Sequence, residues 1–188
     1  MGPYDNIRRV PGPWTRLASS IRWSRDTLAL REDVWRLPDG RERAYPVLAV
    51  GVTVGVLGFA EPDRVVLVRQ FRHLAGAASW ELPGGGALAG EAPEAAAQRE
   101  LREEGGYRAE RLVFLTRFWP SSAYLDEVAW CFVAHGLTPD PLPADDDEFF
   151  ERRIVMVADA IGMALDGEIT ESVSKVTLLQ YALTRERR

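Results

Sequence analysis

Apolar positions along the chain follow two rhythms, and the places where each begins and ends outline the elements. Residues 27–37 and 43–50 carry the mixed apolar and polar pattern of strands, and Pro38-Asp39-Gly40 between them is a turn signal, so a β-hairpin is expected here. The longest weakly polar run, residues 44–60, approaches membrane-span length. Pro46, Thr53 and the glycines at 51, 55 and 58 interrupt it, and its valines suit a buried strand better. Residues 65–71, 112–118, 128–134 and 153–157 read as further strands. Helical character begins at Pro93, which fits a first helical position, and continues through Ala, Gln, Leu, Glu and Arg to the stop at Gly105-Gly106. A short helix is expected from Asp159 and a longer one over residues 170–184. In the latter, Val173, Val176, Leu179 and Leu183 recur at helical spacing and are expected to pack into the core. Residues 1–24 mix Pro, Arg and Trp without a clear period and are expected to be extended.

Bulk properties narrow the class. A chain of 188 residues with 46% hydrophobic content builds one sizeable core with a small elaboration. The 23 Lys and Arg against 28 Asp and Glu give a net charge of −5, so the basic surface that dominates nucleic-acid affinity is absent from the composition, and a long nucleic acid is not expected as a partner. Cys131 is the single cysteine, which excludes an intramolecular disulfide; it reads as a buried strand residue. His73 and His135 are isolated and lack metal-ligand spacing. The opening residues show no apolar stretch behind their charges, so a cytoplasmic protein without a membrane anchor is expected.

The helix from Pro93 carries an unusual charge pattern. At about 100° per residue, Glu100 and Glu104 project in nearly one direction, with Glu103 about 60° to the other side of Glu100. Carboxylates so placed repel one another and need compensation. Two sources fit: Arg99 and Arg102 on a solvated acidic face, or a hard divalent cation, which takes carboxylate oxygens and is completed by water and substrate phosphates.

The wider spacing bears on that choice. Gly85 is followed after five residues by Glu91 and after seven more by Arg99-Glu100-Leu101, Glu103-Glu104 and Gly106-Tyr107. This run resembles the Nudix box, G-x5-E-x7-R-E-U-x-E-E-x-G-U with U a bulky apolar residue, and Tyr107 is the one less usual choice in it. The resemblance covers residues 33–183. It implies the Nudix α/β/α sandwich with a mixed sheet, preceded by an N-terminal antiparallel β-hairpin. It also implies hydrolysis of a nucleoside diphosphate linked to another group, with Mg2+ or Mn2+ as cofactor. In that reading Glu100, Glu103 and Glu104 hold the metal with the Gly84 carbonyl, Glu103 and Glu104 are catalytic, Arg99 orients the helix carboxylates, and Glu91 ties the loop to the helix.

The flanks point to one branch. Arg69-Gln70-Phe71-Arg72 followed by Trp80-Glu81-Leu82-Pro83-Gly84-Gly85 resembles the ADP-ribose pyrophosphatases, in which the corresponding Arg72 and Glu81 hold substrate. A guanidinium can fork onto phosphate oxygens, although Arg72 also reads as a surface residue at a strand end. Residues 119–127 keep the branch's aromatic at Tyr124 and its Asp126-Glu127 ending, which implies substrate contacts from Tyr124 and Glu127. They depart from it in having Ser122 and Ala123 where Pro and Gly are expected, which weakens the case for ADP-ribose itself. Residues 138–148 read by themselves as a solvated acidic loop. Counting back from Gly167-Glu168-Ile169, however, sets Asp147-Glu148 and Glu151 on the family's D-E-x-x-E, so that Glu148 first, or Asp146 second, is a further metal ligand or the residue that activates water.

The expected organisation is an N-terminal extended segment and hairpin strand over residues 1–43, a dimerisation candidate, and a Nudix domain over residues 44–188. The hairpin either covers the core of its own subunit or forms a homodimer interface. The small-molecule substrate implied is ADP-ribose, giving AMP and ribose 5-phosphate. The alternatives are a GDP-sugar, FAD, a dinucleoside polyphosphate or a damaged nucleotide, or a regulatory Nudix domain that binds a nucleotide without turnover.

Overall fold

The structure, a computed structural model, describes residues 12–25, 28–143 and 149–185. These form two compact units, one made of the described residues up to Gly51 together with Arg117–Val128, the other of Val52–Thr116 and the described residues from Ala129 onward.

The first unit is built on an antiparallel sheet of β1 (Thr15–Arg25), β2 (Leu28–Arg36) and β3 (Glu42–Ala49), in that order. The expected hairpin is β2–β3. Its turn closes through the Leu37 N–H donating to the Arg41 carbonyl at 2.8 Å, with Gly40 at φ 85°, a left-handed conformation that costs glycine nothing. The segment before it is a full strand. Every residue of β1 is exposed in the chain, so no face was buried to impose an alternating pattern on the sequence. The weakly polar run expected as one strand is two: it breaks at Gly51, φ 83°, between β3 and β4 (Val52–Glu61). Residues 119–127 are stitched to β3, the Leu48 N–H donating to the Tyr124 carbonyl at 2.9 Å and the Asp126 N–H to the Leu48 carbonyl at 3.3 Å.

The second unit is organised on a seven-stranded mixed sheet. Its path is β10 (Phe150–Met156), β5 (Arg64–Arg72), β4, β9 (Val128–Pro139) and β8 (Tyr107–Phe118), with β6 (Ala77–Glu81) added on β5 and β7 (Gly84–Gly86) on β4. Alternation along β5 divides the faces. Val65 and Leu67 join Val155, Ala160, Ala164, Ile169 and Leu178 in a core under α2 (Val157–Asp166) and α3 (Ser172–Arg185). On the opposite face lies α1 (Pro93–Glu100), followed by a π-helical turn, Leu101–Gly105. Leu101 is fully buried there; a Cβ on Gly58 would stand 3.2 Å from its Cδ1, so the small residue in the strand makes room for it.

The face of α3 differs from expectation. Val173, Ser174, Thr177 and Leu178 are buried, whereas Leu183 is 57% exposed. Small polar residues take the inner positions because the helix approaches β4 closely. A Cβ on Gly55 would lie 2.6 Å from Val173 Cγ1 and 3.7 Å from Thr177 Oγ1, and the Ser174 hydroxyl accepts the Leu82 N–H at 2.9 Å. Both hydroxyls are satisfied, Thr177 by donating to the Val173 carbonyl, so their burial carries no unpaired polar atom. Cys131 is buried as expected, and burial pushes its thiol up to about 11.

Candidate active site

The loop and helix of the acidic box are joined by hydrogen bonds that explain several of its residue types. β7 lies so close to β4 that a Cβ on Gly84 would come within 2.2 Å of the Val54 carbonyl oxygen, and one on Gly85 within 2.7 Å of the Glu100 carboxylate. At Gly84 the obstacle is backbone and only glycine permits the approach; at Gly85 a side chain would displace the Glu100 carboxylate. Glu91 accepts the Leu88 N–H at 2.9 Å and two donors of Arg99 at 3.1 and 3.0 Å, so it fastens the loop to the helix. The same guanidinium donates to Glu100 at 2.8 Å, Glu103 at 2.8 Å and the Gly86 carbonyl at 2.8 Å. These bonds, Glu91 first, raise the affinity of Arg99 for its proton against the effect of burial.

The helix does not run regularly to Glu104. After Glu100 the turn widens, and the Gly106 N–H donates to the carbonyl of Leu101, five residues back, with Gly106 at φ 81°. A π turn places residues four apart out of line, so Glu104 no longer stacks over Glu100 as an unbroken α-helix would have it. Its carboxylate, 3% exposed, instead accepts the Gly84 N–H at 2.7 Å and lies 3.5 Å from the Gln70 amide nitrogen. Glu104 is thus engaged apart from Glu100 and Glu103, which share Arg99, and among the described residues no three acidic, His or Cys side chains already form a metal cage. The donor chemistry nevertheless fits a hard divalent cation. Glu91, Glu100 and Glu103 all pair with the guanidinium of Arg99 and bring hard carboxylate oxygens together, and Gly85 carries no side chain into the space beside Glu100.

A second cluster adjoins Glu104. Arg72 grips Glu81 with both edges of a fork, Nε to Oε1 at 3.0 Å and Nη2 to Oε2, and Gln70 donates to Glu81 at 3.2 Å as well as facing Glu104. Burial pushes the Glu81 carboxyl, 2% exposed, above its usual range, and the Arg72 bonds oppose that shift. Arg72, Glu81, Gln70, Glu104 and Gly84 therefore form one connected chain. The backbone beneath it is fixed by the Leu82 bond to Ser174, whose hydroxyl and N–H are both held by Glu171 at the start of α3.

Tyr124 and Glu127 belong to the first unit. Tyr124 is 71% exposed and Glu127 half-buried. Asp126 between them is architectural: it accepts the N–H groups of Val50 and Gly51 at 2.8 and 3.2 Å and an Arg31 donor at 2.7 Å. Arg31 also pairs with the buried Asp33, which accepts the Ser19 hydroxyl at 2.6 Å. Above this network the unit holds a cavity of about 550 Å³, with Trp14, Trp35 and Tyr45 among its walls. Asp146 and Glu148 lie outside the described residues. Sequence reasoning missed Gln70 as a bridge, Arg31 and Asp33 as the loop's support, and Arg152, which donates to the backbone carbonyls of Glu103 and Glu104. Gln70 sat in plain view inside the Arg69–Arg72 motif; nothing in the sequence marked the other three.

Comparison with known proteins agrees with the box. The NUDIX domain model matches residues 49–175. Over 157 residues the chain is 32% identical to the ADP-ribose pyrophosphatase of Bacillus subtilis (strain 168), covering 82% of this chain and 84% of that one. It is 30% identical over 159 residues to the methanol dehydrogenase activator of Bacillus methanolicus, with 84% and 85% covered. A crystal structure described as an ADP compounds hydrolase superposes with a TM-score of 0.80 at 20% identity, covering 95% of this chain and 97% of that one, a likeness of fold. With the acidic helix, its glycine loop and the sandwich around them all present, the chain belongs to the Nudix family and is a Nudix pyrophosphohydrolase resembling the ADP-ribose pyrophosphatase branch.

Proposed function

We propose that the protein hydrolyses the pyrophosphate bond of ADP-ribose to AMP and ribose 5-phosphate with Mg2+ or Mn2+. The observation that carries this reading is the hydrogen-bonded chain from Arg72 through Glu81 and Gln70 to Glu104, which couples a phosphate-binding guanidinium to the carboxylates of the box. The name of the Bacillus subtilis relative supports the choice of substrate. Glu100, Glu103 and Glu104, with the Gly84 carbonyl, hold the cation. The chemistry it supplies when bound is neutralisation of phosphate charge and an acidic water. Glu81 orients Arg72 toward the phosphates. Tyr124 and Glu127 contact the substrate. Glu148, with Asp146 as the second candidate, takes the proton of the attacking water. The single buried cysteine is in keeping with a cytoplasmic enzyme.

Product analysis on ADP-ribose, a GDP-sugar, FAD, a dinucleoside polyphosphate and an oxidised nucleotide, each with Mg2+ and with Mn2+, tests the reading. AMP and ribose 5-phosphate should appear fastest. Preference for another compound moves the substrate within the family, and tight binding with no product from any of them would make the chain a regulatory domain.

We further propose a homodimer in which the N-terminal sheet of one subunit reaches the substrate site of the other. β1 is an edge strand that exposes Leu17, Ile21 and Trp23, with Trp14 exposed just before it, and so much apolar surface at a sheet edge favours a partner. Aromatic residues of that kind suit an interface and also stack on a nucleobase. Light scattering should give twice the chain mass for the full-length protein and a monomer of low activity for a chain beginning at Arg43. A monomeric full-length enzyme with normal turnover would sink this assembly.

A further inference from the structure

Arg152 lies on β10 opposite Val68 of β5, on the sheet face that carries the box helix. Its Nε donates to the carbonyl of Glu104 and its Nη2 to the carbonyl of Glu103 at 2.8 Å. A helix leaves its last carbonyls without intrahelical partners. Here two of those carbonyls belong to the residues whose side chains the box requires. A planar guanidinium reaches both at once, one donor to each, in a fixed spacing that an ammonium cannot reproduce. The grip is supported from behind and beside. The Arg152 Cζ stands 5.0 Å from the centroid of the Phe150 ring, and a Cβ on Gly106 would meet Arg152 at 3.8 Å, so the guanidinium packs directly against the chain as it leaves the π turn. From the other side, the Asp140 N–H donates to the Gly106 carbonyl at 3.1 Å and the Leu142 N–H to the Arg102 carbonyl at 3.2 Å.

We propose that Arg152 is a positioning residue: by holding the two carbonyls it fixes the π turn, and through the turn it sets the directions in which Glu103 and Glu104 present their carboxylates. This rests on the reading that Glu103 and Glu104 hold the divalent cation. The backbone fork is what distinguishes the role from general sheet stability; the guanidinium of the neighbouring Arg153 lies over the Trp80 ring instead.

The test uses the full-length protein and Mn2+ itself, titrated by the loss of the free-ion EPR signal, alongside kcat and KM on ADP-ribose. Arg152→Met should weaken Mn2+ binding about tenfold and lower kcat about tenfold with KM nearly unchanged, the size expected when a group supporting a metal ligand is lost. Arg152→Lys, which keeps the charge but not the fork, should fall between, and Arg153→Met should match the parent. A folded Arg152→Met with parental Mn2+ affinity and kcat overturns the proposal. If that variant fails to fold, Arg152→Lys decides by the same two readouts, and if neither folds, Arg152 belongs to the fold alone and the positioning role is rejected. Glu103→Gln and Glu104→Gln titrated in parallel separate the two levels. Should they bind Mn2+ normally, the metal assignment itself is wrong; should they lose it while Arg152→Met does not, only the positioning role falls.

Discussion

Replacing Glu103 or Glu104 by Gln lowers kcat by about two orders of magnitude or more at saturating Mg2+ while the fold survives. Loss of one carboxylate weakens charge neutralisation on the phosphates and activation of water together, and a hundredfold loss corresponds to about 2.7 kcal/mol of transition-state stabilisation. Both substitutions preserve shape. Glu103 is partly exposed and keeps an amide oxygen for Arg99; Glu104 is buried but keeps an oxygen for the Gly84 N–H. Thermal unfolding should therefore change little for Glu103→Gln and fall modestly for Glu104→Gln, whose new NH2 meets the Gln70 amide nitrogen, and near-normal turnover by either folded variant would remove it from the metal site. Glu148→Gln belongs in the same series. It should lower kcat far more than it raises KM, as expected for a group that acts chiefly in the transition state. Asp146→Asn is its control: a crippled Asp146→Asn beside a normal Glu148→Gln transfers the role to Asp146.

Much of this arrangement was legible because its causes are local. Glycine at 84 answers a backbone approach and glycine at 85 leaves room for the Glu100 carboxylate, Glu91 and Arg99 answer each other across a fixed spacing, and the turn after Leu37 announces itself in three residues. What escaped depends on neighbours distant in sequence. β1 gave no period because neither of its faces is buried in the chain, and the inner face of α3 includes Thr177, which with Val173 packs against Gly55, and Ser174, which takes the Leu82 N–H. The π turn was illegible for a related reason. Local propensity favours a continuous α-helix through Glu104; the structure widens it where the Gly84 N–H holds the Glu104 carboxylate and Arg152 takes the carbonyls. Arg72 and Glu81 were both singled out by the motifs around them as candidates for holding substrate. Their mutual fork is a property of β5 and β6 lying side by side, which brings residues nine apart together.

Arg99→Met should lower stability and, in the same protein, enlarge the stabilisation gained from Mg2+. The Arg99 side chain is 21% exposed and serves Glu91, Glu100, Glu103 and the Gly86 carbonyl. Its removal takes a shared cation from the buried Glu100 and the half-buried Glu91 and Glu103, and breaking such a network costs about 3 kcal/mol. For a domain of this size that is a fall in Tm of about 10 °C in the presence of EDTA. Two effects then compete when Mg2+ is added. Disordered carboxylates bind less well, a loss of about 1.4–2.7 kcal/mol if it matches that of other supporting groups. Against this, the repulsion between a guanidinium and a divalent cation amid the same side chains disappears, a gain of several kcal/mol at an effective dielectric near 20. The second is larger, so the rise in Tm on adding Mg2+ should exceed that of the parent, while kcat falls because the carboxylates have lost the group that orients them. Arg99→Lys, one point charge for four acceptors, should lie between on both measures. If Mg2+ raised the Tm of Arg99→Met less than that of the parent, Arg99 would be acting mainly as an organiser of the ligands and its charge would be secondary.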